Sequence, residues 1–334
     1  ESGIYNFTIE KKNILNNYID KKNNEKVLVN NKNINVKGAS LILSDKKENP
    51  KALNFKGYIN RLIKTSKIKL IKGKVEKIWE YKNEVSLEVK ENNKINIYKC
   101  DYLFVGSGSP STLKIIQNSQ KIYKKKLYLK KNKKIVYPVF FNQTKKIKDD
   151  YKNFCNPYPI IQINHFSQKF GNIYSQISNF NETLLSFFLK NTKNLRFYYN
   201  FLKPFNKFGF AYTSLDSKFG DKFTFDDKED IIVKKSKYNK RYFKKNLFIL
   251  TKNKLIDNYF RFIDIPIFRD GLSGNHFGSV FPMRKNKRKF YDSDVYGRIC
   301  NYKRISILDS SVFTTLPSKP PTFTIMANAL RIVE

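Results

Sequence analysis

A histidine set among glycines, in the run GLSGNHFG, is the first place in this sequence where side chains could do chemistry. An imidazole titrates near neutrality and can take the proton of a substrate hydroxyl, and flanking glycines let a ligand approach the backbone. On these grounds alone a lone loop histidine is more often structural, and for His276 the structural and the chemical readings both stay open at this point. The other histidine, His165, lies in the strand-like run PIIQINHF with no motif around it and reads as a core or edge residue. Two further segments suit anion binding. Gly106-Ser107-Gly108-Ser109-Pro110-Ser111 follows the apolar run DYLFV and opens the helical pattern STLKIIQN. Glycines there permit close backbone approach to a phosphate, and a helix N-terminus favours negative charge. With no third glycine and no acidic residue at the ribose-binding distance, the same residues also suit a plain strand-to-helix turn. Near the C-terminus, RISILD ends on Asp309 and turns through Ser310 and Ser311, and a helix opens at Pro321 with Thr322, Phe323 and Thr324 in its first turn. Such a strand end offers a carboxylate and exposed backbone N–H groups at the carboxyl edge of a sheet, and such a helix start carries partial positive charge.

The elements that must hold these segments are legible from hydrophobic spacing. Leu53, Phe55, Ile59, Leu62 and Ile63 fall near helical period, which predicts a helix over 53–65. Residues 68–71 and 74–79 read as short strands, Val85, Leu87 and Val89 alternate, and Ile95 and Ile97 alternate, with polar turns YKN and ENN between them. This predicts a small antiparallel meander. DYLFV suits a strand buried on both faces. From 121 to 269 the chain is aromatic and basic, with strand-like KIVYPVFF, PIIQINHF and NIYSQI and a predicted helix at 182–189. The last helix should bury Phe323, Ile325, Met326, Ala329 and Ile332.

Composition narrows the function classes. A chain of 334 residues, 40% hydrophobic and 15% aromatic, can bury one large core or two interleaved ones. The 65 Lys plus Arg against 28 Asp plus Glu give a formal charge of +37, which points toward a polyanionic partner. Against that, only about ten of the basic residues are Arg, the type favoured for bidentate phosphate and base recognition, and the lysines are spread along the chain among Asn and Ile. That is the pattern of an AT-rich coding sequence, and no specific nucleic-acid partner is expected. Cys100, Cys155 and Cys300 are too few and too far apart for a disulfide scaffold, and no metal site is expected; the default compartment is reducing, that is cytoplasmic. No run approaches the roughly 18 apolar residues of a membrane-spanning helix.

In order and spacing, GNHFGSVFPM, DVYGRI, KRISILDSSVF and PPTFTIMANALRI resemble the closing segments of the glucose-methanol-choline (GMC) oxidoreductases. GKVEKIW and KCDYLFVGSGSPSTLKII are similar to that family's meander strand and second glycine turn, so the resemblance runs from Gly73 to the C-terminus. It implies an α/β fold in which a Rossmann-like FAD-binding sheet joins an antiparallel-sheet substrate domain. Residues 1–120 and 275–334 would belong to the FAD-binding part and 121–274 to the substrate domain. It also implies that FAD lies against Val75, Gly106, Gly108, Asp309, Ser310, Pro321, Thr322, Phe323 and Thr324. His276 would act as base while an alcohol or sugar-like CH–OH group gives its hydride to the flavin. DYLFV and RISILD should then be neighbouring strands, because ligands collect at one carboxyl edge. Two features depart from the family. Pro320 stands where most members carry a second His or Asn, and the opening Gly-x-Gly-x-x-Gly segment that holds the ADP pyrophosphate is absent, which reads as an N-terminally truncated chain missing a segment needed for FAD. The alternatives are a non-catalytic relic of the family or a basic protein that binds nucleic acid or an anionic surface.

Overall fold

The computed structural model describes residues 55–123, 127–141, 159–179, 208–239, 241–243, 260–262, 267–269, 276–286 and 289–334, with short strands between 3 and 43. The fold is mixed α/β with several antiparallel sheets. Two compact units interleave along the chain, one from Glu1–Lys69, Lys134–Ser214 and Tyr238–Arg269, the other from Leu70–Lys133, Leu215–Lys237 and Asp270–Glu334. The predicted helix at 182–189 and the glycines of GLSG lie outside the described residues.

In the first unit, β1 (Gly3–Tyr5) pairs with β5 (Leu41–Leu43), and β2 (Leu28–Val29) with β3 (Lys32–Asn33). The main sheet runs in the order β17 (Phe260–Phe262), β11 (Lys133–Phe141), β14 (Phe208–Leu215), β13 (Gly171–Asn179), β12 (Pro159–Ser167) and β4 (Asn35–Gly38), with β18 (Ile267–Arg269) also paired to β11. The runs KIVYPVFF, PIIQINHF and NIYSQI are its strands, as their β-branched and aromatic residues predict. Tyr137, Phe210 and Ile173 are buried, and the hydroxyls of Ser175 and Thr213 meet at 2.8 Å inside it. His165 is an ordinary strand residue, opposite Ile173 in the β12–β13 hairpin. The helix expected near residue 53 is α1 (Phe55–Lys64).

In the second unit, β6 (Lys74–Tyr81), β7 (Glu84–Glu91) and β8 (Lys94–Cys100) form the antiparallel meander. Its second turn is the pair Asn92-Asn93, both at positive φ, the left-handed geometry that a two-residue hairpin requires and asparagine tolerates. Ile78, Val85 and Val89 point inward, where α2 (Ser109–Gln120) buries Leu113 and Ile116. No strand forms at 68–71. Leu70 and Ile71 are exposed, and the β6–β7 ladder begins only at Lys74, so among the described residues the apolar run has no partner to pair with.

A second sheet runs β16 (Ile231–Lys234), β15 (Lys222–Phe225), β10 (Leu129–Lys131) and β19 (Phe277–Gly278). A parallel pair joins β9 (Leu103–Val105) to β20 (Ile305–Ile307). Val105, Ile305 and Ile307 sit in the unit's core with Leu113, Leu129 and Phe281. Each such fully buried side chain contributes about 1.5–3 kcal/mol relative to exposure, which is what holds these short strands in register.

The last helix is α3 (Thr322–Val333), but its burial differs from the expectation. Phe323 and Met326 are 64% and 44% exposed, as are Leu330 and Val333 at 60% and 53%, while Ile332 is buried. The helix meets the unit by its C-terminal half: Ile332 lies near Gly297, and the Arg331 guanidinium reaches Met283 Sδ at 3.5 Å. No helix among the described residues is long and apolar enough to cross a membrane.

Candidate functional site

DYLFV and RISILD are neighbouring strands. The register is Leu103 to Ile305, Phe104 to Ser306 and Val105 to Ile307, extended by a Leu308 N–H to Val105 C=O bond of 2.9 Å. Because the strands are parallel and in step, both end at one edge, which sets the glycine turn Gly106–Gly108 beside the Asp309–Ser311 turn. That is the carboxyl edge at which α/β sheets gather ligands.

Hydroxyls from the first turn of α2 then lock the two turns together. Thr112 Oγ1 donates to Asp309 Oδ2 at 2.5 Å, and Ser107 and Thr112 hydroxyls lie 2.8 Å apart. Since the single Thr112 proton goes to the carboxylate, Ser107 must be the donor to Thr112. Ser310 Oγ donates to the Phe277 carbonyl at 2.7 Å and lies 2.8 Å from Ser109 Oγ, so Ser109 donates to Ser310 by the same count. Ser109 Oγ is also 3.4 Å from Asp309 Oδ1. Two directed chains result, Ser107 to Thr112 to Asp309, and Ser109 to Ser310 to the Phe277 carbonyl.

The second turn is less open than the sequence suggests. Asp309 is 7% exposed and Ser311 fully buried, and the Ser311 N–H is taken by Asp309 Oδ1 at 2.8 Å, which caps the short 3-10 turn Ser310–Val312. A carboxylate at a strand end is as well suited to holding its own turn as to facing a ligand, and here it does the former. The glycine turn is different. Gly108 has φ +82, a conformation L side chains rarely adopt, and among the described residues a Cβ built on Gly106 or Gly108 meets nothing within 4 Å, so these leave space in front of it.

His276 immediately precedes β19, and that strand is held from both sides. On one side it pairs with β10, Lys131 opposite Phe277 and Lys130 opposite Gly278. On the other, the N–H groups of Ser279, Phe281 and Met283 donate to the carbonyls of Ser310, Ser311 and Val312 at 2.9, 2.8 and 2.7 Å. Gly278 lies so flat on the turn that an added Cβ would sit 2.3 Å from the Ser310 carbonyl oxygen. The imidazole of His276 is half-buried.

Lys130, which no sequence motif marks, belongs to this neighbourhood. Its ammonium donates to the Thr314 carbonyl at 3.1 Å, in the loop that leads to α3. Burial, and after it the nearby charge of Lys222, push its pKa below the ordinary lysine value.

The start of α3 offers free backbone donors. Its first internal bond runs from the Ile325 N–H to the Pro321 carbonyl at 2.8 Å, so Thr322, Phe323 and Thr324 carry N–H groups with no partner within the helix, and all three residues are exposed. Val75 lies half-buried in β6, beside an irregularity that leaves Glu76 without a partner across the ladder. Thus Gly106, Gly108, Asp309, Ser310 and the His276 segment are brought together. Among the described hydrogen bonds, none joins Val75 or Pro321–Thr324 to that cluster.

Sequence reasoning passed over Thr112 and Lys130, and it quoted Ser109 and Gly278 within their motifs without giving either a contact of its own. The glycine two places after His276 was a readable signal for a close backbone crossing. The hydroxyls were not readable, because serine and threonine in a first helical turn are as common in ordinary caps.

No family model matches this chain, and no curated protein matches it. Its fold is similar to that of the crystal structure of pyridoxine 4-oxidase from Mesorbium loti, with a TM-score of 0.60 over 97% of this chain and 70% of that chain, at 10% sequence identity. At that identity the likeness is one of fold.

Proposed function

We propose that this chain is the C-terminal, cofactor-covering part of an FAD-dependent oxidoreductase of the glucose-methanol-choline type, acting on the CH–OH group of a small alcohol or sugar-like substrate. The observation that carries the reading is the parallel pairing of β9 with β20, which sets the glycine turn, the Asp309–Ser310 turn and the segment after His276 at one sheet edge. The fold likeness to an oxidase and the motif resemblance both point the same way.

The residues present fit the group. The open space in front of Gly106 and Gly108 suits a backbone laid against a phosphate-bearing cofactor, and the free N–H groups of Thr322, Phe323 and Thr324 suit negative charge. Val75, Ser310 and Pro321 complete the contacts in this reading, Ser310 through its backbone, since its hydroxyl is engaged with Phe277, while Asp309 serves by holding the turn, its carboxylate being taken by Thr112 and the Ser311 N–H. Bound FAD supplies a hydride acceptor. His276 receives the proton of the substrate hydroxyl, and with Pro320 in place of a second polar residue it does so as the sole base. In this division of labour residues 1–120 and 275–334 serve the cofactor and 121–274 the substrate.

The reading also calls for a further segment that completes the cofactor site. Phe104 on the outer face of the parallel pair and the row Phe323, Met326, Leu330 and Val333 on α3 are exposed, although parallel strands are ordinarily covered on both faces and an apolar row along a helix ordinarily faces a neighbour. One more strand and helix would cover them. The test is made on the complete protein from its source: it should carry flavin released as FAD on denaturation, and His276→Ala should keep that flavin while substrate reduces it about 10²-fold more slowly or worse. A protein without flavin, or an unchanged reduction rate, defeats the proposal.

A further inference from the structure

We propose that Ser310 is a positioning residue for His276, acting through the Phe277 carbonyl instead of through a ligand; this rests on the reading of His276 as the base. Ser310 touches the segment after the imidazole in three ways. Its hydroxyl donates to the Phe277 carbonyl at 2.7 Å, its own carbonyl accepts from the Ser279 N–H at 2.9 Å, and its backbone lies where a Cβ on Gly278 would fall, 2.3 Å from its oxygen. Residues 277 to 279 are thereby pressed against one turn, and Ser279 takes a positive φ of 59° to follow it. A non-glycine residue in that region is strained and persists where its surroundings hold it.

The proton count gives this clamp a direction. Because the Ser310 proton is committed to Phe277, the turn depends on Ser109 of α2 for its own donor, at 2.8 Å. Ser109 is itself held at the glycine turn. The orientation of His276 is in this way tied to the same turn that faces the open space before Gly106 and Gly108, so that base and cofactor cradle are set by one network. A serine hydroxyl buried to this degree and shared between two partners cannot also be spared for a ligand without breaking the clamp.

The test reads His276 directly and needs neither flavin nor substrate. The chain holds two histidines, His165 and His276, so carbethoxylation followed by peptide mapping, with histidine-selective labelling for NMR, resolves each. Ser310→Ala should raise the carbethoxylation rate of His276 by about fivefold, the factor that corresponds to one ordinary hydrogen bond, and shift its resonance, leaving His165 as it was. Ser310→Thr, which keeps the hydroxyl, should restore both. Should Ser310→Ala not accumulate as folded protein, Ser109→Ala, which removes only the upstream donor, should shift His276 in the same direction. An unchanged His276 in these variants, or equal acceleration at both histidines, would overturn the clamp. In the complete flavoprotein, Ser310→Ala should slow flavin reduction at unchanged flavin content. If the histidine contrast holds while His276→Ala leaves reduction untouched, the clamp stands and the assignment of His276 as base falls.

Discussion

Thr112→Val is the sharpest single perturbation of the junction between the two turns. Valine matches threonine in shape and branching, so it removes the hydroxyl without opening a cavity, and the helical Thr112 N–H to Gly108 C=O bond of 2.9 Å is backbone and survives. What is lost is the 2.5 Å bond to Asp309, a carboxylate that is 7% exposed and would keep only the Ser311 N–H, since the Ser109 proton goes to Ser310. Ser107 also loses its acceptor, but Ser107 is exposed and water can replace it. A hydrogen bond to a buried charge is worth about 1.5–3 kcal/mol, and no compensating term is available, so a loss of about 2–3 kcal/mol is expected at neutral pH. At about 2–4 °C per kcal/mol this is a fall in Tm of about 4 to 12 °C. Urea denaturation and calorimetry measure it. A double-mutant cycle with Asp309→Ala should give a coupling of at least about 1 kcal/mol. A loss below about 0.5 kcal/mol, or additive single effects, would refute the account of the junction.

Gly220→Ala should cost about 3 kcal/mol or more, because its Cβ would fall 1.6 Å from the Lys131 carbonyl oxygen, a backbone atom that cannot swing aside; thermal unfolding checks this. Burial pushes the phenols of Tyr302 and Tyr174 up to about 12, with the hydrogen bonds from Gln120 and Gln176 pulling weakly the other way. Between pH 10.0 and about 12 the unfolded chain has released these protons and the folded chain still holds them, so stability should fall across that window. Spectrophotometric titration at alkaline pH should show Tyr302 and Tyr174 among the tyrosines that ionise late, and Tyr302→Phe should flatten the loss.

Local structure in this protein was legible wherever one short segment carries its own reason. The meander followed from alternation and from Asn92-Asn93 at a hairpin turn, and α2 from a glycine turn ahead of an apolar period. The pairing of β9 with β20 was legible too, since both runs end in turns of the kind that gather at one sheet edge. Residues 68–71 and α3 were misread for a common reason: apolar spacing shows that a face is fit to be buried, while burial itself depends on a neighbour being there, and Leu70, Phe323 and Met326 have none among the described residues.

The glycine turn could be singled out from residue type and spacing, and His276 and Asp309 through the motif resemblance that surrounds them. What each touches could not. Asp309 looks outward in the sequence and in the structure is held between Thr112 and the Ser311 N–H, and Ser310 proves to be joined to Phe277, residues separated by more than thirty positions. Lys130 acquires its lowered pKa from burial and then from the charges of Lys222 and Arg284, far away along the chain. Hydrophobic period and turn chemistry act over a few residues and are written locally; hydrogen-bond partners, desolvation and close backbone crossings arise from the packing of distant segments, and for these only the tertiary structure decides.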